Sequence, residues 1–256
     1  TNQEALDLHI QAFRIAEELS LPVMVCMDGF ILTHAYERVD MPEQAQVDRF
    51  LPPYEPRQVL DPNEPVTIGA MVGPEAFAEV RYLAHAKQMQ ALDLIPQVAN
   101  EFRQVFGRDS GGLIKTYRLE DAETVVIALG SVLGTIKDTV DELREQGVKI
   151  GVLGITSFRP FPISDIRDAT AHVKRIVVIE KCFAVGIGGI VFRAFVAAGQ
   201  SCTLQHGGRL ARRDVLRRIE PMERLADDLV GPVPFEPLGA TLQLTTIPDG
   251  SSVRIA

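Results

Sequence analysis

A glycine-rich turn in the second half of the chain combines residues that could bind an anion. The apolar run RIVVIEK, residues 175–181, leads into CFAVGIGG, in which Gly186, Gly188 and Gly189 precede a predicted helix. Glycines in such a turn let backbone N–H groups approach an anion at the helix N-terminus. The same glycines also permit tight packing of strand on helix without a ligand, which is their more common use. The sequence therefore favours plain packing here and leaves an anion site as the alternative.

Two further turns follow apolar runs in the same half. Ser131 comes directly after the run at residues 124–129, and Arg159 lies in SFRPFP, after the run at residues 149–156. In an open parallel sheet, ligands bind beyond the carboxyl ends of the strands. The Arg159 guanidinium could hold a carboxylate or phosphate through two hydrogen bonds. The alternative is a structural arginine that pairs with an acidic neighbour.

A third candidate group lies near the start of the chain. Asp28, Gly29, Thr33 and His34 follow a short apolar run at residues 23–27. An aspartate and a histidine at a strand end can relay a proton. The alternative is a turn or helix cap, since Asp and Thr are common cap residues. No histidine has a second ligand at metal-binding spacing, so we expect no zinc site.

The three cysteines limit redox chemistry. Cys26, Cys182 and Cys202 are far apart and form no C-x-x-C pair. A disulfide framework is therefore not expected, and a reducing cytoplasm is. An iron–sulfur cluster normally takes four cysteine thiolates. We expect that this chain alone cannot hold one.

Composition excludes several classes of protein. The net charge of −8 disfavours general nucleic-acid binding, because phosphate backbones would be repelled. No apolar run reaches the roughly 20 residues that a membrane-spanning helix needs. An apolar fraction of 46% excludes whole-chain disorder, and 256 residues suit one large domain or two small ones. Because Thr1 is not a start methionine, we expect that the chain begins after a cut.

The first part of the chain must position Asp28 to His34. The capping-box letters TNQE predict a helix over residues 1–19, and the apolar run at residues 23–27 predicts a strand. Five prolines between residues 33 and 63 predict a long irregular excursion with one short helix at residues 44–49.

The next stretch predicts the longest helix of the chain. Apolar residues recur at helical spacing over residues 75–106, and Pro96 is expected to kink or split that helix. The polar, glycine-containing break at residues 107–112 is the predicted domain boundary.

The second half alternates strands and helices. The predicted strands are residues 124–129, 149–156, 175–180 and 201–205, and the predicted helices are residues 131–146, 163–172, 189–198 and 212–219. The runs TVVIAL and RIVVIE need apolar cover on both faces, which is typical of a parallel sheet. We therefore expect a three-layer α/β domain over residues 113–220. The last part, residues 221–256, is interpreted as an extended arm that pairs with something else.

These runs resemble a known module. VVIALGS, KIGVLGITSFRPFP and RIVVIEK, in this order, are similar to the transketolase C-terminal-like domain. FRPFP and the IEK…GxGG turn most resemble the alpha subunit of 2-oxoacid:ferredoxin oxidoreductases, the pyruvate:ferredoxin oxidoreductase family. NQEALDL, PVMVCMDGF and the Thr33–His34 pair are similar to the end of that subunit's first domain. The resemblance covers about residues 1–220.

The resemblance implies a fold and an activity. The expected fold is a partial thiamine-pyrimidine-type α/β domain at residues 1–110, followed by the transketolase C-terminal-like parallel-sheet domain. The expected reaction is oxidative decarboxylation of a 2-oxoacid, pyruvate first, to acyl-CoA, with electrons passed to ferredoxin. Thiamine diphosphate with Mg²⁺ is expected at the interface with a partner subunit, and 4Fe-4S clusters in partner subunits. Coenzyme A is the expected co-substrate, and beta, gamma and ferredoxin-like delta subunits, or fused equivalents, are the expected partners.

One departure from the family limits the residue assignments. The family's substrate-contacting threonine and arginine, and the glutamate that activates thiamine, lie in strands with no counterpart in this sequence. No catalytic residue is therefore assigned, and the chain alone is expected to be inactive and to bind none of these cofactors. Asp28, Gly29, Thr33 and His34 are expected near the cofactor or the subunit interface. Two alternatives stay open: a subunit of another transketolase-like thiamine enzyme, such as a 2-oxoacid dehydrogenase beta chain, and a catalytically silent assembly module.

Overall fold

The computed structural model describes residues 1–69, 71–180 and 191, and beyond these the backbone of five short strands. The fold is mixed α/β. The chain divides into two compact units. The first unit contains Thr1–Leu113 and Ser157–Pro160, and the second contains Ile114–Thr156 and Phe161–Ala256.

Helices make up the described regular structure of the first unit. They are α1 (Asn2–Leu19), α2 (Ile31–His34), α3 (Gln44–Phe50) and α4 (Pro74–Phe106). α1 is confirmed, with Thr1 Oγ1 accepting a 3.1 Å hydrogen bond from the Glu4 backbone N–H. The short helix expected at residues 44–49 is confirmed as α3.

One apolar cluster joins α1, α3 and α4. Its buried members are Ile10, Leu19, Phe50, Ala91, Leu94, Val98 and Phe102. Phe50 and Phe102 meet edge to face with ring centroids 5.5 Å apart, an arrangement that aromatic pairs prefer. The cluster covers only the second half of α4, because Phe77 and Leu83 in the first half are exposed.

Pro96 was expected to kink or split α4, and it does not split it. The helix continues from Pro74 to Phe106 with Pro96 inside it. Pro96 lies on the exposed side of the helix, where water can hydrate the carbonyl that lacks an N–H partner. The buried Leu94 and Val98 hold the turns on either side of it against the core.

The strand expected at residues 23–27 does not form. These residues carry no strand assignment, and none of their N–H groups makes a backbone hydrogen bond within the described part of the chain. The physical reason is that a strand needs a neighbour for its ladder, whatever its own propensity. The described residues of the first unit contain no strand that could pair with this segment.

A sheet forms the centre of the second unit. Its first four strands are β1 (Ile114–Tyr117), β2 (Thr124–Ala128), β3 (Ile150–Ile155) and β4 (Arg175–Val178), with α5 (Val132–Glu145) after β2 and α6 (Ile163–Ala169) after β3. The later strands are β5 (Phe183–Ala184), β6 (Gly188–Gly189), β7 (Leu204–Gln205), β8 (Gln243–Thr246) and β9 (Val253–Ile255). The spatial order in the main sheet is β1-β3-β2-β4-β8-β9-β7.

The middle of this sheet is parallel, as expected. β2 pairs in parallel with β3 on one side and β4 on the other, with Val126 opposite both Val152 and Val177. The chain steps from β2 to β3 in one direction and from β3 to β4 in the other. Right-handed crossovers therefore place α5 and α6 on opposite faces, which gives three layers.

Both faces of the central strands are buried. Val125, Val126, Ile127 and Ala128 are all 0% exposed. One face packs under α5 through a cluster in which Ile136, Val140 and Leu143 contact the strand residues Val126, Ala128, Ile150, Val152 and Val177. The expectation of apolar cover on both faces is confirmed.

Three details differ from expectation in the second unit. β1 was not expected, and it adds antiparallel to β3 at the edge of the sheet. Gly188 and Gly189 form β6, which pairs with β5, so the helix does not begin at Gly189, although Val191 is helical. The helix was expected to begin at Gly189, but Gly189 pairs with Phe183 in the ladder between β5 and β6. Gly186 and the helix expected at residues 212–219 lie outside the described residues.

The third difference concerns the expected arm. Residues 243–246 form β8, which pairs antiparallel with β4 of the same chain, with Leu244 opposite Val177. This part of the arm therefore pairs with its own chain. β8 lies on the side of β4 opposite β2. The backbone N–H and C=O groups on that side of β4 would otherwise lack a ladder partner.

Within the described residues, no helix is long and apolar enough to cross a membrane.

Candidate functional site

Two of the expected turns lie at the same edge of the second unit's sheet. β2 is followed by Gly130 and Ser131, and β4 is followed by Glu180; since these strands are parallel, both turns lie at the carboxyl edge. Gly130 has a φ of 87°, which a glycine adopts without strain. Ser131 is the N-cap residue of α5. This edge is where ligands bind in open parallel sheets.

Glu180 was not singled out from the sequence. Its side chain is only 9% exposed, and its Oε2 accepts a 2.8 Å hydrogen bond from the Val191 backbone N–H. A carboxylate of the chain thus accepts a hydrogen bond from a backbone donor at the turn that was the candidate anion site. This contact favours structural packing over an anion site at the glycine-rich turn. An acidic residue ending an apolar strand was the available sequence signal.

Arg159 belongs to the described segment that clusters with the first unit. It is exposed, and it forms no hydrogen bond or ion pair within the described residues. Its peptide bond to Pro160 is cis. Ser157 anchors the segment through its N–H, which donates to the Leu113 carbonyl at 3.0 Å. The guanidinium is therefore held in solvent, which agrees with a role toward an external carboxylate or phosphate.

The group at Asp28, Gly29, Thr33 and His34 forms one compact turn. Phe30 has φ 66° and ψ −56°, and the Ile31 N–H donates to the Gly29 carbonyl at 2.8 Å. This is a γ-turn with positive φ, a rare and strained conformation for a residue with a side chain. Such strain persists only where the surroundings fix it, and it concentrates at functional sites.

Thr33 holds this turn and orients the histidine. The Phe30 N–H donates to Thr33 Oγ1 at 2.9 Å, and Thr33 Oγ1 lies 3.0 Å from His34 Nδ1. The hydroxyl can then donate its own hydrogen to Nδ1, which leaves Nε2 as the N–H of a neutral ring. The rings of Phe30 and His34 pack with centroids 4.7 Å apart. Thr33 is thus the side-chain partner of His34, and in this tautomer the exposed ring presents its Nε2–H.

A buried polar network in the first unit was missed from the sequence. Asp7 is 0% exposed and accepts from Arg108 Nη2 at 2.7 Å and from Ser110 Oγ at 2.8 Å. The hydrogen bond to Asp7 raises the pKa of Arg108 above its ordinary value, against desolvation. Gln11 Nε2 donates to the Ser110 carbonyl at 3.1 Å. These contacts fix residues 107–112 on α1, so the network is structural.

A magnesium–diphosphate group makes specific demands on its ligands. In proteins Mg²⁺ takes oxygen ligands, often one or two carboxylates. Within residues 1–69, 71–180 and 191, no group of three His, Cys, Asp or Glu side chains could hold a metal ion.

Family comparisons match both parts of the chain. A sequence model described as "Pyruvate flavodoxin/ferredoxin oxidoreductase, thiamine diP-bdg" matches residues 1–100. A second, described as "Pyruvate:ferredoxin oxidoreductase core domain II", matches residues 122–214. The first of these is a thiamine diphosphate-binding domain.

Curated relatives agree with the family models. Pyruvate synthase subunit PorA of Methanosarcina barkeri is 43% identical over 241 residues, which cover 88% of this chain and 59% of the relative. PorA of Methanothermobacter thermautotrophicus is 39% identical over 75% of this chain and 50% of the relative. Ketoisovalerate oxidoreductase subunit VorA of Pyrococcus horikoshii is 39% identical over 75% and 49%.

The chain thus spans about half to three fifths of the length of these relatives. Two domains of one family follow each other along it, in the order expected from the sequence motifs. The chain belongs to the alpha-subunit family of 2-oxoacid:ferredoxin oxidoreductases.

Proposed function

We propose that the chain is part of the alpha subunit of a thiamine-diphosphate-dependent 2-oxoacid:ferredoxin oxidoreductase. The reaction converts a 2-oxoacid anion, coenzyme A and two oxidised ferredoxins into acyl-CoA, carbon dioxide, one proton and two reduced ferredoxins. The observation that carries the proposal is the succession of the thiamine-binding domain and core domain II along one chain. Thiamine diphosphate, when bound, supplies the carbanion chemistry of decarboxylation, and the protein positions it.

Pyruvate is the proposed substrate. Relatives named pyruvate synthase subunits share 39% to 43% identity with the chain. A branched-chain 2-oxoacid is the alternative that the ketoisovalerate oxidoreductase relative supports. The substrate panel in the test below must therefore contain both.

The proposed complex divides the cofactors among its chains. Beta, gamma and ferredoxin-like delta subunits, or fused equivalents, would hold the 4Fe-4S clusters, and thiamine diphosphate with Mg²⁺ would lie at the interface with a partner. Three cysteines are too few for a cluster in this chain, which supports the division. We place the complex in the cytoplasm, where Cys26, free and exposed, would stay reduced.

Within this complex, residues 1–110 are proposed as the C-terminal half of the pyrimidine-binding-type domain, residues 113–220 as the transketolase C-terminal-like domain and residues 221–256 as a C-terminal arm. The turn with Asp28, Gly29, Thr33 and His34 is proposed to lie near the cofactor or the subunit interface. The exposed His34 ring, its contact with Thr33 Oγ1 and the positive φ of Phe30 support this role. Ser131 and Arg159 are proposed as contacts for an anionic group.

The test is an anaerobic purification of the tagged chain from its native source. Co-purifying chains are identified by mass spectrometry, and bound thiamine diphosphate and iron are measured. The complex is then assayed with coenzyme A and ferredoxin on pyruvate, 2-oxoisovalerate, 2-oxoglutarate and an aryl 2-oxoacid, with coenzyme A omitted as the control.

The proposal predicts thiamine diphosphate, iron and coenzyme A-dependent ferredoxin reduction, fastest with pyruvate. A complex with thiamine but without iron would instead identify another transketolase-like enzyme. A chain that purifies alone, with neither cofactor, would contradict the proposal and support an assembly role.

A further inference from the structure

The first half of α4 carries an apolar stripe that is left exposed within the described residues. Phe77, Val80 and Leu83 are 58%, 44% and 56% exposed, and Ala84 and Lys87 continue the same side of the helix. Separations of three and four residues place these five side chains along one face, which we call the α4 stripe. Contiguous exposed apolar surface of this kind marks an interaction site.

The second half of the same helix shows what kind of element covers such a stripe. Ala91 and Leu94 follow Ala84 and Lys87 at intervals of seven residues. Both are buried in the cluster that joins α4 to α1 and α3. Apolar positions that repeat every seven residues form the seam between two packed helices. The exposed half therefore continues, in the same register, a surface that packs against helices.

The charges of α4 indicate what the covering helix carries. Glu101, fourteen residues after Lys87, pairs with Arg14 of α1, whose Nη2 lies 3.1 Å from Glu101 Oε2. Lys87 takes the equivalent position in the first half, and Arg81 lies at the border of the stripe. Within the described residues neither cation forms an ion pair or a hydrogen bond. A helix that covers the first half would complete the same pattern with a carboxylate opposite Lys87.

A second copy of this chain is the less suitable occupant. A parallel pair of α4 helices would place Lys87 opposite Lys87, and an antiparallel pair centred on the stripe would place Arg81 close to Arg81. Both arrangements bring like charges together where opposite charges are needed. A helix with a different sequence avoids this repulsion.

We infer that the α4 stripe is the docking surface for an amphipathic helix of another subunit of the complex, and that this helix presents a carboxylate to Lys87. The inference rests on the proposed role of the chain as part of an alpha subunit. It requires that the complex assembles, and it does not require that the complex is active.

The experiment uses the native complex from the anaerobic purification. A water-soluble carbodiimide joins an amine to a carboxylate in direct contact with it, and mass spectrometry identifies the linked peptides. The expected product joins Lys87 to an aspartate or glutamate of a co-purified chain other than the alpha subunit. Lys87→Arg keeps the charge but lacks the reactive amine, so this variant should assemble normally and lose the cross-link.

Substitutions test the apolar part of the surface. Phe77→Asp places a charge in the apolar contact, so the yield of complex should fall at least tenfold. Tyr82→Asp is the matched control, because Tyr82 is 69% exposed and lies on the opposite side of α4. Since both side chains are exposed in the chain alone, both variants should unfold at the same temperature as the natural chain.

The outcomes distinguish this inference from the proposed activity. An active complex in which Lys87 is linked to nothing, to a second copy, or to the remainder of the alpha subunit would overturn the docking alone. Equal yields of complex for Phe77→Asp and Tyr82→Asp would overturn it as well. The expected cross-link in a complex that does not reduce ferredoxin would overturn the activity alone. A chain that forms no complex would overturn both.

Discussion

Arg108 donates hydrogen bonds to the Asp7 carboxylate from two guanidinium nitrogens, although the two residues lie 101 positions apart in the sequence. Nε lies 2.9 Å from Oδ2 and Nη2 lies 2.7 Å from Oδ1, and the Asp7 side chain is fully buried. Bidentate geometry of this kind is a property of the guanidinium fork that lysine cannot reproduce. The pair ties the segment after α4 to the first helix of the chain.

Arg108→Met should strongly destabilise the first unit. The substitution leaves a buried carboxylate without its cation, and breaking a buried pair from one side typically costs about 3–5 kcal/mol. The double variant Asp7→Leu/Arg108→Met should cost less than the sum of the single changes, because no unpaired charge remains. Urea unfolding gives the free energy of unfolding of the two single variants, Arg108→Met and Asp7→Leu, and of the double variant. Arg103→Met, at an exposed position one turn earlier, is the control, and an equal loss there would contradict the role of the ion pair.

Gly111→Ala should destabilise more than Gly112→Ala. Both glycines have positive φ, 87° and 85°, so the cost of a left-handed backbone, about 1–2 kcal/mol, is common to the two. A Cβ on Gly111 would also collide with Gln11 Oε1, while a Cβ on Gly112 would meet nothing within 4 Å. Gln11 is buried and cannot move away freely. The free energy of unfolding of each variant is measured in urea, and the loss for Gly111→Ala minus the loss for Gly112→Ala gives the cost of the collision. Similar losses in the two variants would mean that Gln11 moves away from the new Cβ.

The second unit should lose stability in acid through Asp121. A hydrogen bond from Arg144 holds the pKa of the Asp121 carboxyl below its ordinary value. A lowered folded-state pKa stabilises the fold above the unfolded-state pKa of about 4, and this contribution disappears as pH falls through the folded-state value. Lys174 lowers the pKa of Glu123 in the same way, through a hydrogen bond.

The measurement is the urea midpoint at pH 7 and pH 3. Asp121→Asn should reduce the difference between the two midpoints, because the amide cannot titrate. Asp138→Asn, at an exposed position on α5, should leave the difference unchanged. A natural chain and an Asp121→Asn variant with identical pH dependence would refute the assignment.

Thr33→Val should change the protonation pattern of His34. Without the hydroxyl, Nδ1 loses its donor and Phe30 N–H loses its acceptor. The neutral ring is then expected to shift from Nε2–H alone toward a mixture of tautomers. Long-range ¹H–¹⁵N correlation spectra at alkaline pH report this directly. Thr33→Ser keeps the hydroxyl and should retain the Nε2–H form; if it behaves as the valine variant, the hydroxyl is not the orienting group.

Local patterns predicted the parts of the fold that depend on local physics. The apolar runs at β2 and β4 predicted buried parallel strands, because each residue on both faces needed cover. Thr33 and His34 are adjacent, so their joint role was open to inference from the sequence. The short segment of β1, half-polar and half-exposed, carries no such pattern and forms only because β3 offers a free side.

Features that depend on distant partners were not predictable. The carboxylate of Asp7 finds Arg108 across 101 residues, with no local signal at either position. The sequence predicts an extended arm over residues 221–256 that pairs with something else, and nothing near residues 243–246 identifies β4 of the same chain as the partner. The strand prediction for residues 23–27 was wrong for the opposite reason, because the local signal is present and the partner strand is not. Their strand propensity is intrinsic, but the ladder that would express it needs another strand.

The pairing of β8 with β4 means that the sheet cannot be completed until late in synthesis of the protein. About 60 residues must leave the ribosome after β4 before β8 is available, which takes a few seconds at about 5–20 residues per second. During that time one side of β4, an apolar strand, is open to pairing with neighbouring nascent chains. Chaperone dependence should therefore concentrate on this interval, and it should become permanent in any product truncated before residue 243.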